Sequence, residues 1–358
     1  MNHIASIQEQ LSKKGIDALL ITNEKDQRYA SGFPFTDGAV LVSQKEAWLL
    51  TDSRYIEAAQ AASGSFMEVR MFDQKQPLKA MAKDLLDSRS LHRVAAQDAS
   101  LSHKDFMGWG KALDRELLPE EGILGSLRAT KDEDELKAMV QAQRIAEQSL
   151  EELLHIIKPG MTEKQVAAEL VYRSLLHGSE GNSFDPIVVA GARGSLPHGV
   201  PGDDPIQAGD FVTIDFGCLK EGYCSDMTRT FAIGSCTEEM AQVYDTVLKA
   251  QLAGIKAARA GISGREIDKA SRDVIDQAGY GQYFGHSFGH SLGLDIHEAP
   301  NLSPSNDEPM PAGAVCSAEP GIYLPGRFGV RIEDVMILTE SGSQLITRFP
   351  KELLVLGV

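Results

Sequence analysis

Two stretches, each reading as a β-hairpin with two carboxylates among apolar residues, constrain this chain more than any other feature. In the first, the β-prone runs 211–217 and 223–231 are separated by Cys218-Leu219-Lys220-Glu221-Gly222. A turn centred between Lys220 and Glu221 sets Asp215 directly opposite Asp226. In the second, 314–319 and 330–335 flank Pro325-Gly326-Arg327, and a three-residue loop there sets Glu319 opposite Glu333. Directly opposed residues of an antiparallel pair have Cβ atoms about 4.5–5.5 Å apart, and like charges there destabilise. A cation reverses that sign. With His290 between the pairs in sequence, the reading is five residues converging on one site.

The pairs belong to a longer repeat. Gly160 and Gly178 bracket one helical pattern and Gly261 and Gly279 another, each 101 positions further on, and both patterns open on a capping-box sequence. Two such boxes in step, each followed by a hairpin with two acids, indicate duplicated halves related by a pseudo-two-fold axis, with the site between them. Ahead of the repeat, Lys131-Asp132-Glu133-Asp134-Glu135 opens an amphipathic helix whose acidic start suits the positive end of the helix dipole, running to Lys158-Pro159-Gly160.

The first third alternates helix and strand signals. Ile4, Ile7 and Leu11 sit at helical spacing before Gly15, 16–21 reads as a buried strand, and 40–42 and 47–50 as two more around the turn 43–46. A helix fits 78–86 and a strand 92–96. The expectation is an α+β chain: an N-terminal α/β domain over 1–128 and a catalytic domain over 129–358.

With 358 residues, 42% hydrophobic and 24% charged, the chain has material for two domains. No run approaches the roughly 18 apolar residues of a spanning helix, and the start, Met1-Asn2-His3-Ile4-Ala5-Ser6, lacks signal-peptide regions. A cytoplasmic protein is expected. A net charge of −16 argues against nucleic acid or an anionic membrane as partner, because binding phosphate needs a basic surface. Cys218, Cys224, Cys236 and Cys316 show no C-x-x-C spacing and read as reduced core residues.

Four ionised carboxylates in one pocket are untenable without compensation, since desolvation and repulsion force protonation. Two divalent cations cancel them. Hard oxygen donors with a single nitrogen favour Mn, with Co, Fe or Zn as alternatives. Two ions roughly 3.5–4 Å apart acidify a water between them and clamp an oxyanion, so the implied reaction class is metal-assisted hydrolysis.

Two other motifs fail. Gly285-His286-Ser287-Phe288-Gly289 and Gly289-His290-Ser291-Leu292-Gly293 match the G-x-S-x-G elbow of serine hydrolases, but the last histidine is His297 and no buried strand precedes them. His297-Glu298 begins like a zincin helix, yet Ala299-Pro300-Asn301 follows and the proline breaks a helix. His198 reads as a loop histidine. His286 and His297 bracket His290 closely enough to contact substrate, whereas His3, His92, His103, His155 and His177 have no carboxylate cluster nearby in sequence.

Several motifs resemble those of the metal-dependent Xaa-Pro peptidases, aminopeptidase P and prolidase, which share the pita-bread fold. They are Phe184-Asp185-Pro186-Ile187-Val188, Leu196-Pro197-His198-Gly199, Ile214-Asp215-Phe216-Gly217, Ser225-Asp226-Met227-Thr228-Arg229-Thr230, Gly289-His290-Ser291-Leu292-Gly293 with His297-Glu298-Ala299-Pro300, Glu319-Pro320-Gly321-Ile322-Tyr323 and Val330-Arg331-Ile332-Glu333-Asp334. The resemblance covers essentially the whole chain, including the creatinase/prolidase-type N-terminal segment at 14–20 and 50–55. It implies that Asp226 and Glu333 bridge two metals, that Asp215 completes one site, and that His290 and Glu319 complete the other. Glu319 is then the general acid/base, with His198 and His297 on the substrate backbone and oxyanion and His286 lining the proline pocket. Tyr323 and Arg331 are supporting residues; Arg331 shares a strand face with Glu333 and orients it.

The implied partners are small proline-containing peptides and a second copy of the chain in a homodimer. The proline nitrogen carries no hydrogen, so a site that grips the carbonyl and the free α-amino group suits the bond before it. The N-terminal domain distinguishes the chain from methionine aminopeptidase, and the intact ligand set from creatinase and from ligand-free relatives that only bind. Two departures stand out. Ser291 replaces the commoner glycine after the metal histidine, and Asn301 stands where many prolidases carry the arginine that binds a dipeptide's carboxylate. The second tilts the expectation toward aminopeptidase P-like action on longer peptides.

Overall fold

The computed structural model describes residues 2–120 and 122–357; Met1, Glu121 and Val358 lie outside the described residues. The chain divides into two units, Met1–Arg128 and Ala129–Val358.

In the first unit the order is α1 (Ile4–Lys14), β1 (Ala18–Ile21), α2 (Glu24–Ser31), β2 (Gly38–Ser43), β3 (Ala47–Thr51), α3 (Ile56–Ser63), β4 (Glu68–Met71), α4 (Leu78–Ser88), β5 (Val94–Ala96), α5 (His103–Leu113), β6 (Leu118–Pro119) and α6 (Ile123–Arg128). The apolar run of β1 is buried throughout because the strand is central, paired antiparallel with β2 and parallel with β5. Six strands form one sheet in the order β4-β3-β2-β1-β5-β6. Leu20, Leu41, Trp48, Leu85, Leu86 and Trp109 share its core, and Ile4, Ile7 and Leu11 are the buried face of α1.

The second unit contains α7 (Glu133–Leu154), α8 (Glu163–Leu176), β7 (Ile187–Ala190), β8 (Phe211–Phe216), β9 (Leu219–Lys220), β10 (Tyr223–Cys224) and β11 (Met227–Ile233). It continues with α9 (Glu238–Ala257), α10 (Gly264–Gln277), β12 (Gly289–Ser291), β13 (Glu298–Leu302), β14 (Val315–Ala318), β15 (Gly321–Leu324), β16 (Phe328–Arg331), β17 (Asp334–Thr339), β18 (Gly342–Leu345) and β19 (Val355–Leu356). Strands β19-β11-β8-β7 make one sheet and β13-β12-β14-β17-β18 another. Asp132 caps α7 in a full capping box. The helix ends at Leu154, four residues before Lys158, where the amides of Ile156 and Ile157 both turn back to the Leu153 carbonyl. No helix among the described residues is long and apolar enough to cross a membrane.

The repeat is explicit in the backbone. Thr162 and Ser263 each close a capping box at the start of α8 and α10. The amide of Gly160 donates to Ile206 and that of Gly261 to Met310, both at 2.8 Å, and the return bonds from Ile206 to Met161 and from Met310 to Ile262 both measure 2.9 Å. Each half thus delivers a helix pair and then a hairpin to the site.

The first hairpin differs from its expected register. Asp215 pairs with Thr228, not Asp226. The turn is centred on Glu221-Gly222, both at positive φ (49° and 75°), and β9 and β10 close over it with Lys220 opposite Tyr223. Two consecutive positive φ values make the tight hairpin turn that matches strand twist, which moves the register by two residues. An even shift keeps both aspartates on one face, and Asp226 becomes the diagonal neighbour of Asp215, in the break between β10 and β11.

The second hairpin keeps its expected register in two pieces. Gly321 pairs with Arg331 beyond the break, and Ala318 pairs with Asp334 before it. Glu319 and Glu333 stand opposite each other where the ladder opens, and their amides turn elsewhere, to the carbonyls of Phe288 and Thr228.

Candidate metal centre

The break between the two pieces of the second ladder frees both glutamates from strand pairing and aims them at the first hairpin. Asp226, His290 and Glu333 each offer one ligand atom, and these lie within 4.8 Å of one another. His290 Nε2 is 3.2 Å from Glu319 Oε1 and 3.6 Å from Asp226 Oδ2. Asp215 lines the same cavity, held there by Arg331, whose Nη2 donates to its Oδ2 at 2.6 Å. The five residues are brought together.

Electrostatics show what the cluster lacks. Asp226 is raised well above the usual carboxylate range by burial and then by Glu333 and Asp215. Glu333 is raised likewise by burial and then by Glu319 and Asp215. Asp215 is raised by burial, against the opposing Arg331. For Glu319 burial also opposes ionisation, but the bond and charge of His290 outweigh it and hold the carboxyl at about 2. Asp215 Oδ1, Asp226 Oδ1 and Glu333 Oε1 are buried acceptors without a hydrogen-bond partner. Unsatisfied buried oxygens with mutual repulsion fit a divalent cation.

The histidine tautomer fits as well. His290 Nδ1 is 3.2 Å from the Ser291 carbonyl, which can only accept, so Nδ1 carries the proton and Nε2 is left to bind a metal. His290 is raised, burial being overcome by Glu319; a cation would take the place of the proton they share.

Three hydroxyls and one guanidinium fix this arrangement. Arg331 Nε donates to Thr228 Oγ1 at 3.1 Å, and Thr228 donates to Glu333 Oε2 at 2.7 Å. Arg331 Nη1 donates to the Tyr323 hydroxyl at 2.8 Å. His286 Nδ1 faces the Ser287 carbonyl at 2.9 Å, so its Nε2 accepts from Tyr323 at 2.9 Å, and burial lowers its pKa. Ser317 donates to Glu319 Oε1 and accepts the amide of His290, both at 3.0 Å. Thr228 and Ser317 escaped the sequence reading, although each lies two positions from a carboxylate, the spacing that places both on one strand face. Replacing Ser317 by alanine is expected to weaken Mn affinity about tenfold, measured by competition with a fluorescent chelator.

His198, His286, His290 and His297 all border a cavity of about 780 Å³ with Asp215, Asp226, Glu319, Tyr323, Arg331 and Glu333. The His297 and His290 rings meet edge to face, 4.3 Å between centroids. Glu298 is instead held by Lys131 at 3.0 Å, which leaves the neighbouring histidine free of any zincin role. Asn301 lines the cavity too.

Comparison with known proteins agrees with this geometry. Residues 137–340 match the profile of Metallopeptidase family M24, and residues 3–130 that of the Creatinase/Prolidase N-terminal domain. A Xaa-Pro dipeptidase of Bacillus anthracis has a solved structure with a TM-score of 0.94 at 39% identity, covering 99% of each chain. The X-Pro aminopeptidase of Thermotoga maritima gives 0.92 at 37%, covering 99% of this chain and 100% of that one. The Xaa-Pro dipeptidase of Pyrococcus horikoshii is 34% identical over 353 residues, 98% of each chain. With a creatinase/prolidase domain, a carboxylate-rich centre suited to divalent metal and Xaa-Pro peptidases as its relatives, this chain belongs to metallopeptidase family M24.

Proposed function

We propose that this chain hydrolyses Xaa-Pro dipeptides at the buried carboxylate cluster, which is the observation that carries the reading. Residues 129–358 carry the chemistry and residues 1–128 contribute none of it. Asp215, Asp226, His290, Glu319 and Glu333 would hold the metal ions. Manganese suits a set of hard oxygens with one imidazole. The ions, when bound, supply an acidified water and polarise the scissile carbonyl.

The chain's own residues do the rest. Glu319 moves a proton from the water toward the proline nitrogen, the only atom of that bond able to leave with it. His198 and His297 hold the substrate backbone and the developing oxyanion, and His286 borders the proline ring. Arg331 and Tyr323 keep Asp215 and His286 in place.

Dipeptides are placed first because that substrate is in the names of the Bacillus anthracis and Pyrococcus horikoshii relatives, against the tilt that Asn301 suggests. One observation favours action on longer N-terminal Xaa-Pro peptides. Among the described residues lining the cavity Arg331 is the sole arginine or lysine, and it is committed to Asp215, so no free guanidinium awaits a proline carboxylate. Asn301 accepts from Ser303 at 2.8 Å, which leaves its NH2 group to donate.

A panel of Xaa-Pro and Xaa-Pro-Yaa peptides, run with Mn, Co and Zn, tests this. The expected result is Mn-dependent cleavage with kcat/KM at least about tenfold higher for dipeptides, a difference of ~1.4 kcal/mol. A reversed ratio selects the aminopeptidase reading, and cleavage of neither after metal loading overturns both.

A further inference from the structure

His198 has no strand to hold it. It lies in the segment 191–202 between β7 and β8, after a 3₁₀ turn at Gly191–Ser195, and its side chain is exposed at the cavity. What fixes that segment is a carboxylate outside the metal cluster. Glu163, the first residue of α8, is 0% exposed. Its Oε1 accepts the amide of Ala190 at 2.8 Å, where the segment begins, and its Oε2 accepts the amide of Gly202 at 2.7 Å, where it ends. Arg193 Nε donates to both oxygens at 3.2 and 3.0 Å, and Arg193 Nη2 donates across to the Val200 carbonyl at 2.6 Å. One buried anion thus ties both ends of the segment, and its partner cation reaches over to the residue two past His198.

Helix capping does not explain this carboxylate. The Thr162 side chain already accepts from Gln165 in a complete capping box, and an acidic residue placed only for the helix dipole would sit in solvent. The internal repeat makes the point independently. The equivalent position in the second half, 101 residues on, is Gly264 at the start of α10, where a Cβ would meet the Asn301 carbonyl at 2.3 Å. That half has no side chain at this position; its buried carboxylate is Asp268, one turn further along α10, which accepts the Phe288 amide at 2.8 Å and pairs with Arg272. Each half brings loop histidines to the cavity, His198 in the first and His286 and His297 in the second, and each ties a histidine-bearing segment to a buried carboxylate paired with an arginine.

We infer that Glu163, with Arg193, is a positioning residue for His198 in Xaa-Pro hydrolysis, acting through the loop and not through the metals. The inference rests on the role given to His198 above. Each step is local: Glu163 anchors the loop ends, Arg193 spans the loop, and Gly199 presses its backbone on β7, where a Cβ would meet Val189 Cγ1 at 2.4 Å.

The test is a double-mutant cycle in the full-length, Mn-loaded enzyme with His198→Ala, Glu163→Ala and the pair. Glu163→Ala is expected to lower kcat/KM for an Xaa-Pro peptide about 10- to 100-fold, with unchanged metal content and faster proteolytic nicking within 196–201. The double variant is expected to match His198→Ala within about twofold, because a residue acting only through His198 has nothing further to lose. Additive losses, or loss of metal from Glu163→Ala, overturn the inference. A silent Glu163→Ala beside an impaired His198→Ala overturns it while leaving the proposed function standing. A silent His198→Ala removes the role on which it depends. Glu163→Gln, which keeps the volume and removes the charge, carries the same cycle should the alanine variant not fold.

Discussion

Asp226→Asn is expected to lower kcat/KM by at least about 10³-fold, or ~4 kcal/mol of transition-state stabilisation, and to reduce bound metal below that of the parent. The substitution is nearly isosteric at a 3% exposed position, so shape is kept and chemistry changes. One anionic oxygen becomes an NH2 group: aimed at a cation it repels the ion, and donated to Glu333 it occupies an oxygen the ion would use, so metal binding is weakened either way. The metal-free variant is expected to melt no lower than the metal-free parent, because it lacks one of the charges whose burial and repulsion raise Asp226 and Glu333. Differential scanning fluorimetry with and without Mn, beside metal analysis and kinetics, separates the two effects. Activity within tenfold of the parent would sink the assignment of Asp226.

The same shifts give the pH dependence its sign. Carboxyls whose folded pKa is raised contribute stability that is fully present below their unfolded values and is lost as pH rises through the folded ones. Cations offset that loss and displace the protons. The Tm gain on adding Mn is therefore expected to grow between about pH 5 and pH 8.

Arg229→Met is expected to cost about 3–5 kcal/mol, the range for leaving a buried ion without its partner. Arg229 is 1% exposed and Asp334 0%. Nη2 donates to Asp334 Oδ1 at 2.8 Å and to the Phe349 carbonyl at 2.6 Å; Nη1 donates to the carbonyls of Glu333 at 2.5 Å and Thr228 at 2.9 Å; Nε donates to that of Pro350 at 2.8 Å. Lys351 also pairs with Asp334, which softens the loss without replacing the backbone bonds. Methionine keeps the apolar stem and forfeits all five. Urea unfolding measures the cost, and Mn titration is expected to show weaker binding as well, since the Glu333 carbonyl loses its anchor.

These two sites also show what a sequence can disclose. The second hairpin was legible because Pro325-Gly326-Arg327 is a short loop and strand periodicity carries across an interruption, so Glu319 and Glu333 stand opposite as expected. The first was misread by two residues because its turn places Glu221 at positive φ, a conformation that costs an L-residue with a Cβ and is not signalled by glutamate. The face survived that error and the partner did not. The helix pairs were legible from glycine spacing and capping boxes, which are local. Apart from the Thr228 carbonyl next door, the partners of Arg229 lie more than a hundred positions away, and Glu298, which pairs with Lys131, farther still. Such pairs depend on which strands end side by side, and no local pattern contains that. The role of His198 came through family resemblance alone, since loop residues carry no periodicity.

A peptide has a beginning and an end, whereas a duplicated frame has neither. The matched halves suit the cations, which are indifferent to direction: Asp215 lies near the end of β8 and Glu319 directly follows β14. Substrate direction has to be written by whatever breaks the match. Here the glycine at 264 against the glutamate at 163, and β12 with His290 against an aliphatic β7, are the asymmetries that give the cleft a left and a right. Which end of a chain enters first is settled by residues that the repeat does not share.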